Sequence, residues 1–453
     1  MQNKTHKTFL TIACSKKISF FLCKIHKIHT IRYGNFLRCF PVNSSFYSKR
    51  VFWILIANGL NHGEILIYSL LIPWITLDFF PHTSFMMRLV WGYCVLAMGI
   101  VTTPLGSFFF SWIAQYKGPL SGMRWCLLGN TLLTSLFIMC PTYEALGILS
   151  PMIFFFLRFF KGIFSSGQTS ISKIYVIEET VKDKEYKFSY LYQFSSMFGY
   201  VGTSVLSNIL IEKLNLSWRW GFFPFLLQAG IGMTCFASQC KKQEFKKYEK
   251  FVFFPNKYTL QYLKRHCNLI AMVTFTTGLT HITWNLTFII MNNLIPFATS
   301  ISFSTILGSN QWLMGIDTVL ILILGPLLER YKPEKILKIG SLVLGISLPG
   351  CFALLDVFSY PITLAIVRLW ILVWGIVFSC PLYMCYKHFC PKKEVYLIVG
   401  AGNALGGSII GKLTPLLTLW IYSKTNNFFS IGIYAGGIAL LAWATLTFVK
   451  QQE

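Results

Sequence analysis

Long apolar stretches recur from residue 51 almost to the end of the chain, and short polar connections separate them. A helix needs about 20 apolar residues to cross the hydrocarbon core of a bilayer. The pattern therefore predicts twelve membrane-spanning helices. They lie near residues 51–77, 87–114, 122–140, 146–177, 188–212, 218–238, 268–295, 301–328, 335–355, 361–386, 395–420 and 428–449. Because helices satisfy their own backbone hydrogen bonds in lipid, the predicted fold class is an all-α integral membrane protein.

The polar connections alternate in charge along the chain. Three lysines follow the fourth predicted span (182–187) and three follow the tenth (387–393), whereas the alternate connections contain almost no Lys or Arg, with Lys213 and Lys424 as exceptions. Basic residues concentrate on the cytoplasmic side of membrane proteins. The alternation predicts a bacterial-type inner membrane protein with both termini in the cytoplasm.

Composition agrees with this prediction. The chain is 54% hydrophobic and 12% charged, whereas soluble proteins contain about 25% charged residues. The net charge of +24 comes from the basic connections, so we expect contact with lipid head groups and no nucleic-acid partner. The 13 cysteines are scattered, mostly within apolar runs, which favours packing roles over disulfides or a metal site.

The chain divides into four predicted regions. A basic extension (1–50) precedes a six-helix half (51–238), a charged cytoplasmic linker (239–267) and a second six-helix half (268–453). The extension contains no Asp or Glu, and its apolar patch is short for a signal peptide. We interpret it as a cytoplasmic extension or as a start codon assigned too far upstream; an organellar presequence is the weaker alternative.

Three motifs of the first half carry a family pattern. The first predicted span opens with ANGLNHGEILIY (57–68), the second contains TPLGSFFFSWIAQYKG (103–118), and the fourth lies in CPTYEALGILSPMIFFFLRFFKGIFSSGQ (140–168). Together they resemble the metabolite:proton symporters of the major facilitator superfamily, the group that holds proline/betaine and dicarboxylate transporters. The resemblance runs from residue 57 to the end and is denser in the first half. It implies two six-helix halves that rock around a midplane site, often with proton-coupled uptake.

The resemblance also assigns positions. Glu64 falls on an Asp of the family pattern, Tyr68 on its Tyr and Arg158 on its Arg, while Lys161 replaces a Gln and Gln168 replaces a Glu. The equivalent loops that close the second and eighth spans, GSFFFSWIAQYKG and GPLLERYKPEK, imply a conformational latch on the cytoplasmic face. Its predicted members are Gly106, Gln115, Lys117, Gly118, Gly325, Glu329 and Arg330.

Charges inside the predicted spans indicate the chemistry. A cation near the middle of a bilayer costs roughly 2.5–3.5 kcal/mol, so Arg158 and Lys161 should face a cavity, unless they reach the interface. Burial disfavours the charged form of a carboxylate, which makes Glu64 the first candidate for proton coupling. Arg158 would pair either with a solute carboxylate or with Glu64, and an exchange of these partners would couple proton to solute.

Five other positions are weaker candidates. His62 titrates near neutrality, although a lone His in a span often serves in packing. Asp317 and Arg368 are intramembrane charges of the second half, and a structural pair is as plausible as a functional one. Aromatic residues such as Trp284 are expected to pack or face lipid rather than form a cage for a quaternary ammonium. Glu178 is a candidate partner for the latch.

These patterns predict a secondary active transporter that takes up a small anionic or zwitterionic organic solute with protons, as a monomer and without a cofactor. Two acids of the family pattern are replaced by Asn61 and Gln168, which leaves fewer groups to carry protons. A uniporter or exchanger of the same fold is therefore the alternative. A receptor or scaffold of the same fold is a further alternative. The chain contains no GxGxxG, HExxH or GxSxG motif, so an enzyme or an ATP-driven pump is not expected.

Overall fold

The computed structural model describes residues 46–207, 209–210, 214, 216–240, 261, 263–291, 303–358 and 360–449. From Arg50 onward the chain forms one compact unit. Most of the predicted extension (1–50) and most of the predicted linker (239–267) lie outside the described residues. The prediction of a boundary between two halves therefore stays a prediction.

Helices occupy each predicted span of the first half. Two of these spans are interrupted. The second breaks at Met98, and the sixth opens with a 3-10 helix, Trp218–Leu226, that contains Pro224. The helices are α1 (Phe46–Phe79), α2 (Phe85–Ala97), α3 (Gly99–Lys117), α4 (Pro119–Ile138), α5 (Tyr143–Leu146), α6 (Leu149–Glu178), α7 (Glu185–Ser207) and α8 (Leu227–Cys240).

The helices from Cys267 onward are also interrupted. A π-helical turn, Leu286–Ile290, extends the seventh span, and a second one, Gly406–Lys412, lies within the eleventh. Such turns are frequent at functional sites because they offset the helix by one residue. The helices are α9 (Cys267–Asn285), α10 (Phe303–Leu328), α11 (Pro333–Val357), α12 (Pro361–Ser379), α13 (Leu382–Phe389), α14 (Val395–Leu405), α15 (Thr414–Thr425) and α16 (Phe428–Phe448).

The all-α prediction is confirmed for the described part of the chain. Seven of its helical segments are long and apolar enough to cross a membrane. Their outward faces carry large apolar side chains, such as Trp312 and Phe448, which are 79% and 86% exposed. A lipid environment explains this exposure, since a soluble protein would not present so many large apolar side chains to water.

Small residues bring several helices into close contact. A Cβ on Gly199 of α7 would overlap the carbonyl of Gly59 on α1, and a Cβ on Gly406 would overlap the carbonyl of Thr274 on α9. Helices in membranes associate through such close backbone approach, because lipid offers no hydrophobic driving force between them. The glycines therefore fix the spacing of the helices that surround the interior polar groups.

Candidate functional site

A buried ion pair joins the first, third and fourth predicted spans. Glu64 of α1 is 2% exposed, and its Oε2 lies 2.7 Å from Lys161 Nζ of α6. Thr134 Oγ1 of α4 donates to Glu64 Oε1 at 2.6 Å, and Gln228 Nε2 of α8 donates to Oε2 at 3.4 Å. Lys161 also donates to Thr134 Oγ1 and to the carbonyl of Asn130. Since both charges have partners, the pair is tolerated away from water.

Neutral amides continue this network where the family pattern has acids. Gln168 Nε2 donates to the carbonyl of Ala57 at 2.9 Å, and its Oε1 accepts from Asn130 Nδ2 at 2.6 Å. Asn61 Oδ1 accepts from Ser165 Oγ at 2.8 Å. The two substitutions therefore keep hydrogen bonds between α1, α4 and α6 while they leave Glu64 as the acid of this network.

Arg158 lies apart from Glu64 and stacks on an aromatic ring. Its guanidinium carbon is 3.7 Å from the centre of the Tyr68 ring, and the Tyr68 hydroxyl donates to the carbonyl of Gly92 at 3.2 Å. Guanidinium groups stack well on aromatic faces. Lys161, not Arg158, is thus the ion-pair partner of Glu64, which corrects that part of the exchange hypothesis. Arg158 lies about one helical turn before Lys161 on α6, and this difference in position places Lys161 rather than Arg158 next to Glu64.

A cavity lies between α7, α9, α10 and α12. His62 Nδ1 is 3.1 Å from the Tyr200 hydroxyl of α7, and Tyr200 stacks on Trp284 of α9 with ring centres 5.3 Å apart. Trp284 lines the cavity together with Gln193 and Asp317. The expectation that Trp284 packs agrees with its contact with Tyr200, and the same ring also forms part of the cavity wall.

Asp317 and Arg368 do not form an ion pair. Arg368 is 1% exposed, donates from Nε to the carbonyl of Thr287 at 2.9 Å and contacts Asn310 Oδ1. Asp317 is 4% exposed and has no hydrogen bond or ion pair within the described residues. The hypothesis of a structural Asp–Arg pair is thus wrong, and Asp317 stands alone on the cavity wall.

Two lysines within predicted spans were not singled out by the sequence motifs. Lys173 of α6 is 3% exposed and donates to Asn403 Oδ1 of α14 at 2.6 Å. Lys412 ends the π-helical turn, is exposed, and contacts Gly99 of α3. The available signal was simply a lysine inside a predicted span, but Lys173 lies near the end of its span, where a lysine is normally assigned to the interface.

At the lysine-rich end of the bundle, the two predicted halves are joined by acids of the first half. Glu185 is 2% exposed and accepts from Lys387 Nζ and His388 Nε2, each at 2.7 Å. The Tyr396 hydroxyl donates to Glu178 Oε2 at 2.5 Å. The halves therefore meet at this end, where the basic connections predict the cytoplasm.

The predicted latch residues have mixed positions. Gln115 contacts the carbonyl of Lys393, and Gly325 packs on Tyr190, so both lie between the halves. Glu329 and Arg330 are exposed, and their side chains make no hydrogen bond or ion pair within the described part of the chain. The remaining members, Gly106, Lys117 and Gly118, lie at the crossing of α3 with α6 and at the junction of α3 with α4, where Gly118 has φ 90°. In this conformation Glu185 joins the halves where Glu329 and Arg330 were expected to do so.

We expect Glu185→Gln to loosen the lysine-rich end. A neutral amide cannot neutralise Lys387, and it offers one accepting oxygen where the carboxylate offers two; a hydrogen bond to a charged group contributes about 1.5–3 kcal/mol. Hydrogen–deuterium exchange of α13 should become at least about tenfold faster. Glu329→Gln is the matched control, since Glu329 has no such bond, and it should exchange like the wild type. Equal exchange in both variants would show that Glu185 does not hold this end closed.

Known proteins share both the sequence pattern and the fold. The model of a family described as Major Facilitator Superfamily matches residues 52–415. A putative proline/betaine transporter of Staphylococcus haemolyticus (strain JCSC1435) is 21% identical over 418 residues, 88% of this chain and 86% of that protein. The alpha-ketoglutarate permease of Escherichia coli (strain K12) is 25% identical over 201 residues, 41% of this chain and 45% of the permease.

A solved structure extends the comparison to the fold. The proton:xylose symporter XylE, bound to 6-bromo-6-deoxy-D-glucose, has a TM-score of 0.67 at 15% identity, and the match covers 90% of this chain and 97% of XylE. The family match covers most of the chain, and the apolar helices agree with an integral membrane protein. The chain belongs to the major facilitator superfamily, and it is a transporter rather than an enzyme.

Proposed function

We propose that this protein is a secondary active transporter that takes up a small anionic or zwitterionic organic solute together with protons. The buried Glu64–Lys161 pair is the observation that carries the proposal. It lies inside the bundle, and it is composed of an acid that changes charge on protonation and a cation that then loses its partner. Breaking such a pair costs about 3–5 kcal/mol, which is enough to alter the balance between two conformations.

Helix α1 provides a route from this pair to the cavity. Glu64 and His62 are two residues apart, so they lie on nearly opposite faces of α1. Glu64 holds α1 to α4 and α6, while His62 contacts Tyr200, whose ring stacks on Trp284 of the cavity wall. Protonation of Glu64 would remove its charge and so weaken the ion pair with Lys161, and a movement of α1 would then displace His62. Proton binding and solute binding would thus be coupled through the position of one helix.

The names of the relatives support a small anionic or zwitterionic solute, but they do not distinguish an anion from a zwitterion. One relative is a putative proline/betaine transporter, which indicates a zwitterion, and another is an alpha-ketoglutarate permease, which indicates a dicarboxylate. The fold neighbour XylE is a proton symporter of a sugar. Proton coupling by Glu64 also agrees with the loss of acids at Asn61 and Gln168, because Glu64 remains in the network.

Uptake into proteoliposomes tests the proposal. Radiolabelled proline, glycine betaine, succinate and alpha-ketoglutarate would be supplied with and without an inward proton gradient. A gradient of one pH unit drives about tenfold accumulation at one proton per solute, and we expect at least one solute to accumulate in this way. A protonophore should abolish the accumulation. Uptake that reaches the same level without the gradient would instead indicate a uniporter.

A further inference from the structure

A buried carboxylate on the cavity wall has no partner within the described part of the chain. Asp317 of α10 is 4% exposed and lines the cavity between α7, α9, α10 and α12. Its side chain forms no hydrogen bond and no ion pair with the described residues. An unpaired buried charge is strongly unfavourable, so a carboxyl group in this place either is protonated or holds a cation. The cavity beside Asp317 provides the space for a cation.

Four hydroxyl groups line the same cavity. Three belong to the seventh span, where they are three and four residues apart and so share one helix face, and one belongs to α12: Thr280, Thr283, Thr287 and Ser379. Each hydroxyl donates its proton to a backbone carbonyl of its own helix, at 2.7, 3.0, 2.9 and 3.4 Å respectively. A hydroxyl has one proton and two lone pairs, so these oxygens can only accept further hydrogen bonds. They therefore match a ligand that donates.

The remainder of the wall suits a small organic cation. Among the described residues that line the cavity, Asp317 is the charged one, and none is Lys, Arg or His. Gln193 adds a neutral amide, while the ring of Trp284 and aliphatic side chains such as Ile371 form apolar walls. Aromatic faces attract cations, whereas the carboxylate of a ligand would meet Asp317 with no cation on the wall to neutralise it.

The size of the cavity restricts the ligand further. Its volume is about 40 Å³, and one water molecule needs about 10–15 Å³ on the same measure. The space therefore holds a charged head group of a few atoms rather than a large solute. The described residues contain no group of three or more His, Cys, Asp or Glu that could hold a metal ion, which favours an ammonium group over a metal ion at Asp317.

We propose that this cavity binds a primary organic amine in its ammonium form, with Asp317 neutralising the charge and the threonine hydroxyls accepting from the N–H groups. The ligand carries no carboxylate, so this inference goes beyond the solute of the function proposed above. It does not rest on that function, since neither Glu64 nor Lys161 lines the cavity. A quaternary ammonium would also neutralise Asp317, but it has no N–H group to donate to the hydroxyls.

Equilibrium binding to the purified full-length protein tests this inference without requiring transport. Calorimetry in a non-ionic detergent at low salt would compare n-butylammonium with tetramethylammonium, which is of similar size but has no N–H group. It would also include 4-aminobutyrate, which adds a carboxylate to the same amine, and sodium chloride. We expect butylammonium to bind at least about tenfold more tightly than each of the other three.

Variants of two acids test the role of the charge. Asp317→Asn keeps the shape of the side chain and removes its charge, so it should weaken butylammonium binding by about tenfold or more. Asp317→Glu keeps the charge and should retain binding. Glu329→Gln removes an exposed acid directly after α10, and it should bind like the wild type.

A matched pair of threonines keeps the test decisive if Asp317→Asn does not fold. Thr283 and Thr318 each donate to a carbonyl of their own helix, at 3.0 and 2.8 Å, but Thr283 lines the cavity and Thr318 does not. Thr283→Val should weaken butylammonium binding by about threefold or more, and Thr318→Val should leave it unchanged.

Several results would overturn the inference. They are binding of tetramethylammonium, 4-aminobutyrate or sodium as tight as that of butylammonium, no binding of any probe, or wild-type binding by Thr283→Val together with a folded Asp317→Asn. None of them bears on the proton coupling proposed for Glu64, which is measured by accumulation in proteoliposomes.

Discussion

Glu64→Gln is expected to abolish proton-driven accumulation while solute still equilibrates across the membrane. The Gln side chain has nearly the same shape, and its one amide oxygen replaces either the oxygen that accepts from Thr134 or the one that accepts from Lys161. It cannot take up or release a proton, however, and the charge of the site no longer depends on the proton gradient. The internal-to-external ratio of solute in proteoliposomes should therefore fall to equality with the gradient present.

Two further variants separate coupling from stability. Lys161→Met leaves the Glu64 carboxylate buried without its cation, and we expect a loss of about 3–5 kcal/mol of stability. The double variant Glu64→Gln with Lys161→Met removes both charges, so it should melt near the wild-type temperature and still fail to accumulate solute. Glu144→Gln, at an exposed acid of α5, is the control for a carboxylate lost at the surface. Normal accumulation by Glu64→Gln would refute the coupling role of this residue.

The all-helical character of the chain could be predicted because each helix is a local property of the sequence. A run of apolar residues is recognisable by itself, and lysine clusters such as 182–187 mark where a run ends. The π-helical turn Gly406–Lys412 could not be predicted in this way. This turn contains one residue more than a regular α-helical turn. The glycines that permit it are also typical of close helix packing, so the sequence does not distinguish the two roles.

The partners of the charged residues could not be predicted, because each pair joins helices that are distant in sequence. Glu64 was found from its position within a span, but the choice between Arg158 and Lys161 depends on how α1 and α6 are rotated against each other. Asp317 and Arg368 show the same limit, since Arg368 contacts Thr287 and Asn310 rather than Asp317. Lys173 donates to Asn403 only because the fold brings α14 against α6.

Gly106→Ala is expected to prevent stable folding, in contrast to the latch role that the sequence motif implies for this glycine. A Cβ on Gly106 would overlap the carbonyl of Ile163 and the hydroxyl of Ser166 on α6. A backbone carbonyl within a helix cannot move aside as a flexible side chain can, so α3 and α6 must separate. Overpacking of this kind costs about 1–3 kcal/mol or more.

The thermal stability of the detergent-solubilised protein, followed by size exclusion, measures this effect. The matched control is Gly437→Ala on α16, where a Cβ would have nothing within 4 Å. Ala favours a helix over Gly by up to about 1 kcal/mol in water, so the control should melt at or above the wild-type temperature while Gly106→Ala melts well below it. A latch residue would behave differently: its variant would fold normally and change only the balance between conformations. Because Gly106 packs α3 against α6 within the first half, we expect loss of the fold and loss of transport to occur together.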